Sequence, residues 1–232
     1  MNTFALKLIA IIVMLIDHIG AMFIPRYTDT YLVFRSVGRL AFPIFVFLIV
    51  EGFHHTRNVK KYLIRLGIFA MVSEIPFDLA FYGKIIEFTH QNVFFTLFLG
   101  LLLISLLGMI QVKLETQFIL ANLCCTVLVL AFCIIAVFLR TDYDYSGILI
   151  MTAFFLFRGN RIATLISLFI ITVLMYSDSI HYPIAWIFIA CTTLSMLLIS
   201  LYNGQKGKNV KYLFYVFYPA HLLILYIIKS FL

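Results

Sequence analysis

Long, almost uninterrupted apolar runs are the feature that most limits how this chain can fold. Several approach or exceed the roughly 20 apolar residues that an α-helix needs to cross the hydrocarbon core of a bilayer. Of the 232 residues, 64% are hydrophobic and 12% are charged, whereas soluble domains carry about 25% charged residues. The sequence therefore predicts an all-α, polytopic transmembrane helical bundle in which residues 1–232 form a single integral membrane domain.

Polar turns divide this apolar sequence into about nine predicted spanning helices, within a range of roughly eight to ten. The sixth and seventh are short, which leaves open a merged pair or an additional re-entrant piece. Lys7 precedes the first apolar run as in a signal peptide, but Asp17 and His18 interrupt that run, so it is interpreted as a membrane helix. The predicted segments are 4–24, 31–53, 60–82, 93–110, 117–139, 145–157, 162–176, 183–201 and 210–231.

Basic residues are concentrated in alternate loops. The loops after odd-numbered segments carry only Arg26, Lys84 and Arg140. Because basic loops stay in the cytoplasm, we expect a multi-pass protein of the cell membrane with a cytoplasmic N-terminus and, for nine spans, an outer C-terminus. The same bias accounts for the net charge of +7, so binding of nucleic acid is not expected. The loops after even-numbered segments carry ten basic residues, Arg57, Lys60, Lys61, Arg65, Lys113, Arg158, Arg161, Lys206, Lys208 and Lys211.

Ionisable residues also interrupt the first three predicted helices, near the ends expected to face outward. Such charges are costly in hydrocarbon and usually mark a functional site. A spacing of four places two arginines on one helix face and two carboxylates on another, so we expect these pairs to contact each other. A purely structural network of ion pairs is the alternative. The residues are Asp17 and His18, Arg35 and Arg39, and Glu74 and Asp78.

His18 is the strongest candidate for acid–base chemistry, because an imidazole takes up a proton near neutral pH and a carboxylate can orient it. Adjacent residues point about 100° apart on a helix. We therefore expect Glu74 or Asp78 to be its partner, and Asp17 to orient a different residue. A hydrogen-bonded packing histidine is the alternative. Pro76 is expected to break the third helix beside this cluster.

Two further features concern ligands. Arg57, Lys61 and Arg65 recur every four residues and are suited to binding phosphates through charge-assisted hydrogen bonds, although they can equally serve membrane topology alone. His221, in the middle of the last segment, is either a second polar partner or bonded to a carbonyl. No metal site is expected, because neither the adjacent histidines 54 and 55 nor the cysteines have metal-ligand spacing.

Several stretches resemble the TraX family of membrane proteins. They are LIDHIGAMF (15–23), VGRLAFPIFVFLIVEGFHHTRNVKKYLIRL (37–66), SEIPFDLAF (73–81), NVFFTL (92–97) and YPAHLL (218–223). A named member of that family N-acetylates a pilin, and polytopic O-acyltransferases share the order of motifs more distantly. The resemblance implies an acetyltransferase that moves an acetyl group from cytoplasmic acetyl-CoA, its donor substrate, to an extracytoplasmic amine or hydroxyl. Possible acceptors are a protein N-terminus, an amino sugar or an envelope polymer.

Under this interpretation His18 is the general base, helped by Glu74 or Asp78, unless it first accepts the acetyl group itself. Arg39, with Arg35, would organise the carboxylates or stabilise the oxyanion that develops on the acetyl carbonyl. The CoA phosphates would bind Arg57, Lys61 and Arg65. Two other functions remain open: an ion- or proton-coupled transporter that uses the same charge cluster, and a non-catalytic assembly protein whose ion pairs only fix the helix register.

Overall fold

The computed structural model of the protein describes residues 1–208 and 211–232. Within these residues the chain forms ten α-helices and a short 3-10 turn at Ser177–Ser179, which confirms the predicted all-α bundle. Residue 210, the predicted start of the last segment, lies outside the described residues. The helices are α1 (Thr3–Phe23), α2 (Asp29–Gly38), α3 (Ala41–His55), α4 (Val59–Tyr82), α5 (Val93–Lys113), α6 (Phe118–Phe138), α7 (Asp144–Leu156), α8 (Arg161–Met175), α9 (Pro183–Ser200) and α10 (Lys211–Ser230).

Six helical stretches of the described chain are long and apolar enough to cross a membrane: α1, α2 together with α3, α5, α6, α9 and α10. The remaining helices differ in charge or length. α4 has 24 residues but contains several ionisable side chains, and α7 and α8 have only 13 and 15 residues. The polytopic membrane fold is thus confirmed, and the predicted number of nine spans is approximate.

Two prolines affect their helices in different ways. The second predicted segment is divided into α2 and α3 at Arg39 and Leu40, because Pro43 has no N–H to donate to the carbonyl of Arg39 and its ring crowds that carbonyl. The predicted break at Pro76 is wrong, since α4 continues through it. Without water to satisfy free backbone groups, helical structure is favoured even around a proline.

The loops are sorted onto two ends of the bundle. At one end, called here the N-terminal face, the Thr3 N–H donates to the Gln205 carbonyl at 2.8 Å, and Arg158 pairs with Glu51 at 2.7 Å. At the other end, called the opposite face, the Gln91 N–H donates to the Arg140 carbonyl at 2.9 Å. Most of the arginine- and lysine-rich loops therefore share the N-terminal face, as their alternation along the sequence predicts.

The buried core lies mainly between α1, α3, α4, α5, α7 and α10. Its fully buried side chains include Leu6, Ile44, Leu66, Leu101 and Leu222. α6, in contrast, buries only Ala121, Phe132 and Ala136. The candidate functional site lies among these core helices.

Candidate functional site

The six ionisable residues predicted to form one cluster instead have three different sets of partners. Arg35 pairs with Asp17 at 2.6 Å and Arg39 lies 3.9 Å from the same carboxylate. The expected pairing of these arginines with Glu74 and Asp78 is therefore wrong. Asp17 lies one position from His18, and its side chain faces α2 because adjacent residues point in different directions on a helix.

Asp17 also explains the sequence at the junction of α2 and α3. Its side chain occupies the space that a Cβ on Gly38 would need, so only glycine fits at that position. The Arg39 guanidinium lies 5.2 Å from the centre of the Phe188 ring on α9. Asp17, Arg35 and Arg39 thus hold α1, α2 and α9 together.

The two carboxylates of α4 bind the loop that follows this helix. Glu74 accepts a hydrogen bond from the Asn92 side-chain amide, which also donates to the Ala70 carbonyl at 2.9 Å. Asp78 accepts from the Glu87 backbone N–H at 2.8 Å. Glu74 and Asp78 therefore position residues 83–92. Asn92 was not among the predicted site residues, although the NVFFTL motif begins with it.

This loop is also connected to the loop between α6 and α7. Backbone hydrogen bonds join Gln91 to Arg140 and Asp142, and the His90 imidazole lies 3.5 Å from the Asp142 carboxylate. The hydrogen bond to Asp142 raises the pKa of His90 above its usual value, although partial burial opposes the charged form. Together the two loops cover the opposite-face ends of α4 and α5.

His18 has a different partner from the one predicted. Its Nδ1 lies 2.7 Å from Nε2 of His221 on α10, so the expected bond to Glu74 or Asp78 is wrong. The two imidazoles are within 4° of coplanar, and their centres are 5.0 Å apart. Phe81 and Tyr218 pack edge-on against His18, at 5.5 and 6.1 Å between ring centres. His221 is 5% exposed, so the pair is a buried polar connection between α1 and α10.

A cavity of about 370 Å³ leads from the N-terminal face toward this histidine pair. Its charged lining, called here the basic mouth, consists of four cationic side chains and the Glu51 carboxylate, which pairs with Arg158 outside the cavity. The cations are Lys7, Arg65, Lys206 and Lys208. Deeper walls are largely apolar and come from α1, α3, α5 and α10. Met14 and Tyr218 belong to this lining, and each lies about one helical turn from a member of the pair.

The spacing on α1 explains how one helix connects both ends of the cavity. Lys7, Met14 and His18 are separated by seven and four positions, which places them on the same helix face. At 1.5 Å per residue, ~16 Å of helix separates Lys7 from His18. On α10, Phe214, Tyr218 and His221 are separated by four and three positions, so they also share one helix face. The cavity lining therefore follows one face of α1 and one face of α10 as far as Met14 and Tyr218, and the histidine pair lies one turn further along these faces.

Of the predicted phosphate-binding residues, only Arg65 lines this cavity; Arg57 and Lys61 are exposed elsewhere. The side chain of Asn58 accepts the Lys61 N–H at 2.8 Å and caps α4, so Arg57 precedes the helix and does not share its face. Arg65 lies 5.3 Å from the centre of the Tyr62 ring, and its buried Nε has no hydrogen-bond partner. A buried donor of this kind is suited to a ligand.

The fold and this site define a polytopic α-helical membrane protein with a basic cavity mouth and a buried histidine pair. Residues 3–229 match the family described as TraX protein, and the chain belongs to that family. The chain is similar to the probable fimbrial assembly protein FimC, serogroup H1, of Dichelobacter nodosus. The two are 33% identical over 248 residues, which cover 100% of this chain and 97% of the relative. No solved structure matches the chain.

Proposed function

We propose that this protein is a membrane-embedded acetyltransferase that uses cytoplasmic acetyl-CoA to acetylate an amine or hydroxyl on the far side of the membrane. The observation that carries this proposal is the cavity that leads from the basic mouth to Met14 and Tyr218, each about one helical turn from a histidine of the pair. In this proposal the N-terminal face is cytoplasmic, in keeping with its arginine- and lysine-rich loops.

The basic mouth is suited to the donor's phosphates. CoA carries its negative charge at one end and its thioester at the other, and the cavity has cations at one end and imidazoles near the other. Arg65 can bind a phosphate through its unpartnered Nε, because guanidinium–phosphate hydrogen bonds are charge-assisted. The volume of about 370 Å³ lies within the usual ~300–1,000 Å³ of small-molecule sites. The largely apolar deeper walls are suited to the uncharged arm that carries the acetyl group.

The histidine pair supplies the base. His18 takes the proton from the acceptor N–H or O–H as the nucleophile attacks the thioester carbonyl. A C–N or C–O bond forms, the C–S bond breaks, and the proton passes from His18 to the departing CoA sulfur. If the acetyl group is first transferred to His18, the same bonds are exchanged in two steps. Arg35, Arg39, Glu74 and Asp78 act here by positioning helices and loops, since each has a partner in the fold.

The acceptor approaches from the opposite face. The Dichelobacter relative is called a probable fimbrial assembly protein, which supports an envelope protein such as a pilin as the acceptor. Amino sugars and envelope polymers present the same amine or hydroxyl chemistry. The loops that contain His90 and Asp142 lie on this side and are the surface that such an acceptor meets first.

Calorimetry with acetyl-CoA tests the donor site in purified protein embedded in nanodiscs. We expect the combined variant Arg65→Ala, Lys206→Ala, Lys208→Ala to weaken binding roughly 100-fold, because each charge-assisted bond contributes about 1.5–3 kcal/mol and the effects overlap. The matched control Arg57→Ala, Lys61→Ala removes two cations of the same face that lie outside the cavity and should bind almost as wild type.

Three outcomes would contradict this proposal. Folded wild type that neither binds acetyl-CoA nor transfers radiolabelled acetyl to any envelope acceptor would reject the acetyltransferase. Equal losses of acetyl-CoA affinity in both variants would place the donor's binding site at the exposed turn before α4. Proton or ion flux through reconstituted vesicles, without acetyl-CoA binding, would instead establish a transporter.

A further inference from the structure

We propose that His221 is a positioning residue that holds His18 in a single tautomer, with hydrogen on Nδ1, so that Nε2 of His18 is the nitrogen that accepts a proton. The catalytic consequence rests on the proposed acetyltransferase function. The tautomer follows from the hydrogen bonds alone.

The first bond fixes the tautomer of His221. Its Nδ1 lies 2.7 Å from the backbone carbonyl oxygen of Phe217, one turn earlier on α10. A carbonyl oxygen only accepts hydrogen bonds, so Nδ1 must carry the hydrogen. A neutral imidazole has one N–H, and Nε2 of His221 therefore presents a lone pair.

The second bond transfers this constraint to His18. Nε2 of His221 lies 2.7 Å from Nδ1 of His18, and a lone pair there requires His18 to donate. The planes of the rings differ by 4° with centres 5.0 Å apart. This separation fits rings that meet edge to edge, with the N–H directed at the lone pair. The remaining nitrogen of neutral His18, Nε2, is left with its lone pair.

The opposite arrangement is unfavourable in this position. If His18 carried its hydrogen on Nε2, two lone pairs would face each other at the 2.7 Å contact, or the Phe217 carbonyl would lose its donor. Either leaves a buried polar group unsatisfied, which is energetically unfavourable.

Neighbouring aromatic side chains keep both imidazoles in this geometry. The Phe217 ring lies nearly parallel to His221, with 4.8 Å between ring centres, and Tyr218 packs edge-on at 5.6 Å. Phe81 meets the edge of His18. Rotation of either ring about its χ2 angle would therefore require these aromatic neighbours to move.

This arrangement explains how His18 functions without a carboxylate partner. When Nε2 accepts a proton, the resulting imidazolium still donates Nδ1–H to His221, and that bond becomes charge-assisted. The partner that orients the base is thus a second histidine on α10. Glu74 and Asp78 remain available to hold the loop after α4.

Nitrogen NMR of histidine-labelled protein in nanodiscs tests the tautomer directly, because protonated and unprotonated ring nitrogens have different chemical shifts. In the wild type we expect a protonated Nδ1 and an unprotonated Nε2 on both His18 and His221. Single histidine variants assign the signals. The exposed His181 serves as the solvated reference, and His181→Ala is the control that should leave both signals unchanged.

Two substitutions separate positioning from packing. His221→Ala removes the acceptor, so the His18 signal should change toward hydrogen on Nε2, and kcat should fall roughly 100-fold with the KM for acetyl-CoA unchanged. His221→Gln can place an amide oxygen near the position of Nε2. It should restore the Nδ1–H signal of His18 and most of the activity.

The outcomes distinguish this inference from the proposed function. If the wild type transfers acetyl but its His18 carries hydrogen on Nε2, the inference about His221 is overturned and the proposed function stands. The expected tautomer in a protein that transfers no acetyl would reject the acetyltransferase and leave the tautomer established. If His221→Ala does not fold, the wild-type spectrum still decides the tautomer. The positioning role would be contradicted if His221→Gln were as inactive as His18→Ala.

Discussion

Two regions of the bundle satisfy their polar side chains in opposite ways. In α8 and α9, the hydroxyls of Thr172, Thr192 and Thr193 donate to carbonyls of their own helices at 2.6, 2.8 and 2.7 Å. In α1, by contrast, Asp17 and His18 bond to α2 and α10. Bonds within one helix form wherever the helix lies, whereas bonds between helices require a particular arrangement. The difference supports the proposed placement of the candidate site around α1.

The cavities of the two regions differ in the same way. A groove of about 500 Å³ between α8 and α9 is larger than the cavity beside α1, but its lining is almost wholly apolar and includes Phe169 and Trp186. Arg161 is the only charged residue in that lining. Such a surface is suited to lipid chains. Size alone therefore does not distinguish the candidate functional site from this groove; the combination of a basic mouth and buried imidazoles does.

The largest expected effect compares one polar residue from each region. His18→Ala removes the proposed base and should lower acetyl transfer about 1,000-fold, within the usual range for acid–base catalysis. Thr193→Ala removes a hydroxyl that bonds only within α9 and should leave transfer nearly unchanged. The measurement is incorporation of radiolabelled acetyl by matched amounts of each variant in nanodiscs. If His18→Ala were as active as the wild type, α1 would have no role in the chemistry and its polar bonds would be purely structural.

A second effect tests whether α1 needs its bonds to other helices for stability. In Gly38→Ala, the new methyl group would overlap the Asp17 side chain and displace its ion pairs, so we expect a loss of about 2–3 kcal/mol in the free energy of unfolding. Gly108→Ala in α5 is the control, because its methyl group meets only Phe53, at 3.7 Å. It should be neutral or stabilise by about 0.5 kcal/mol. Unfolding in mixed micelles measures the stability of both variants. Similar unfolding midpoints for Gly38→Ala and Gly108→Ala would show that Asp17 can move without loss of stability.

Sequence patterns predicted the parts of this structure that depend on local physics. Apolar length and polar turns gave the helices, and the alternation of basic loops gave their sorting onto two faces. The same patterns identified the ionisable residues of α1, α2 and α4. Each of these properties depends on a segment and its solvent, so a single sequence contains the information.

Which side chains pair between different helices was not predictable from these patterns. His18 and His221 are 203 positions apart, and no spacing rule connects residues on α1 and α10. The basic mouth likewise combines Lys7, Arg65 and Lys206 from three distant segments. The even spacing of Arg57, Lys61 and Arg65 suggested a stripe, but α4 begins only after Asn58. The first two cases share one cause, because contacts between helices depend on rotation about each helix axis, whereas the third depends on where a helix begins.

The smallest effect concerns the opposite face, where polar partners are exposed to water. The pKa of His90 is raised by its hydrogen bond to Asp142, with Asp144 and Glu74 adding to the shift. A raised pKa in the folded protein means that protonation stabilises the fold. This contribution is complete below the usual pKa of about 6.5 and is lost as the pH rises through the raised value. Because the His90 and Asp142 side chains are 37% and 35% exposed, solvent screening limits the effect to less than about 1 kcal/mol.

His90→Gln should therefore flatten the pH dependence of unfolding over that interval. Lys84→Gln is the control, because it removes the neighbouring Lys84–Glu87 pair at 2.6 Å. Hydrogen bonding between them lowers the pKa of Glu87 and raises the pKa of Lys84, so the contribution of this pair changes in the acidic and alkaline ranges and not near neutral pH. Unfolding midpoints measured across neutral pH compare the variants. If His90→Gln retains the wild-type slope, the slope originates elsewhere. The bond between the two opposite-face loops would then depend on Gln91 and its backbone partners, which do not titrate.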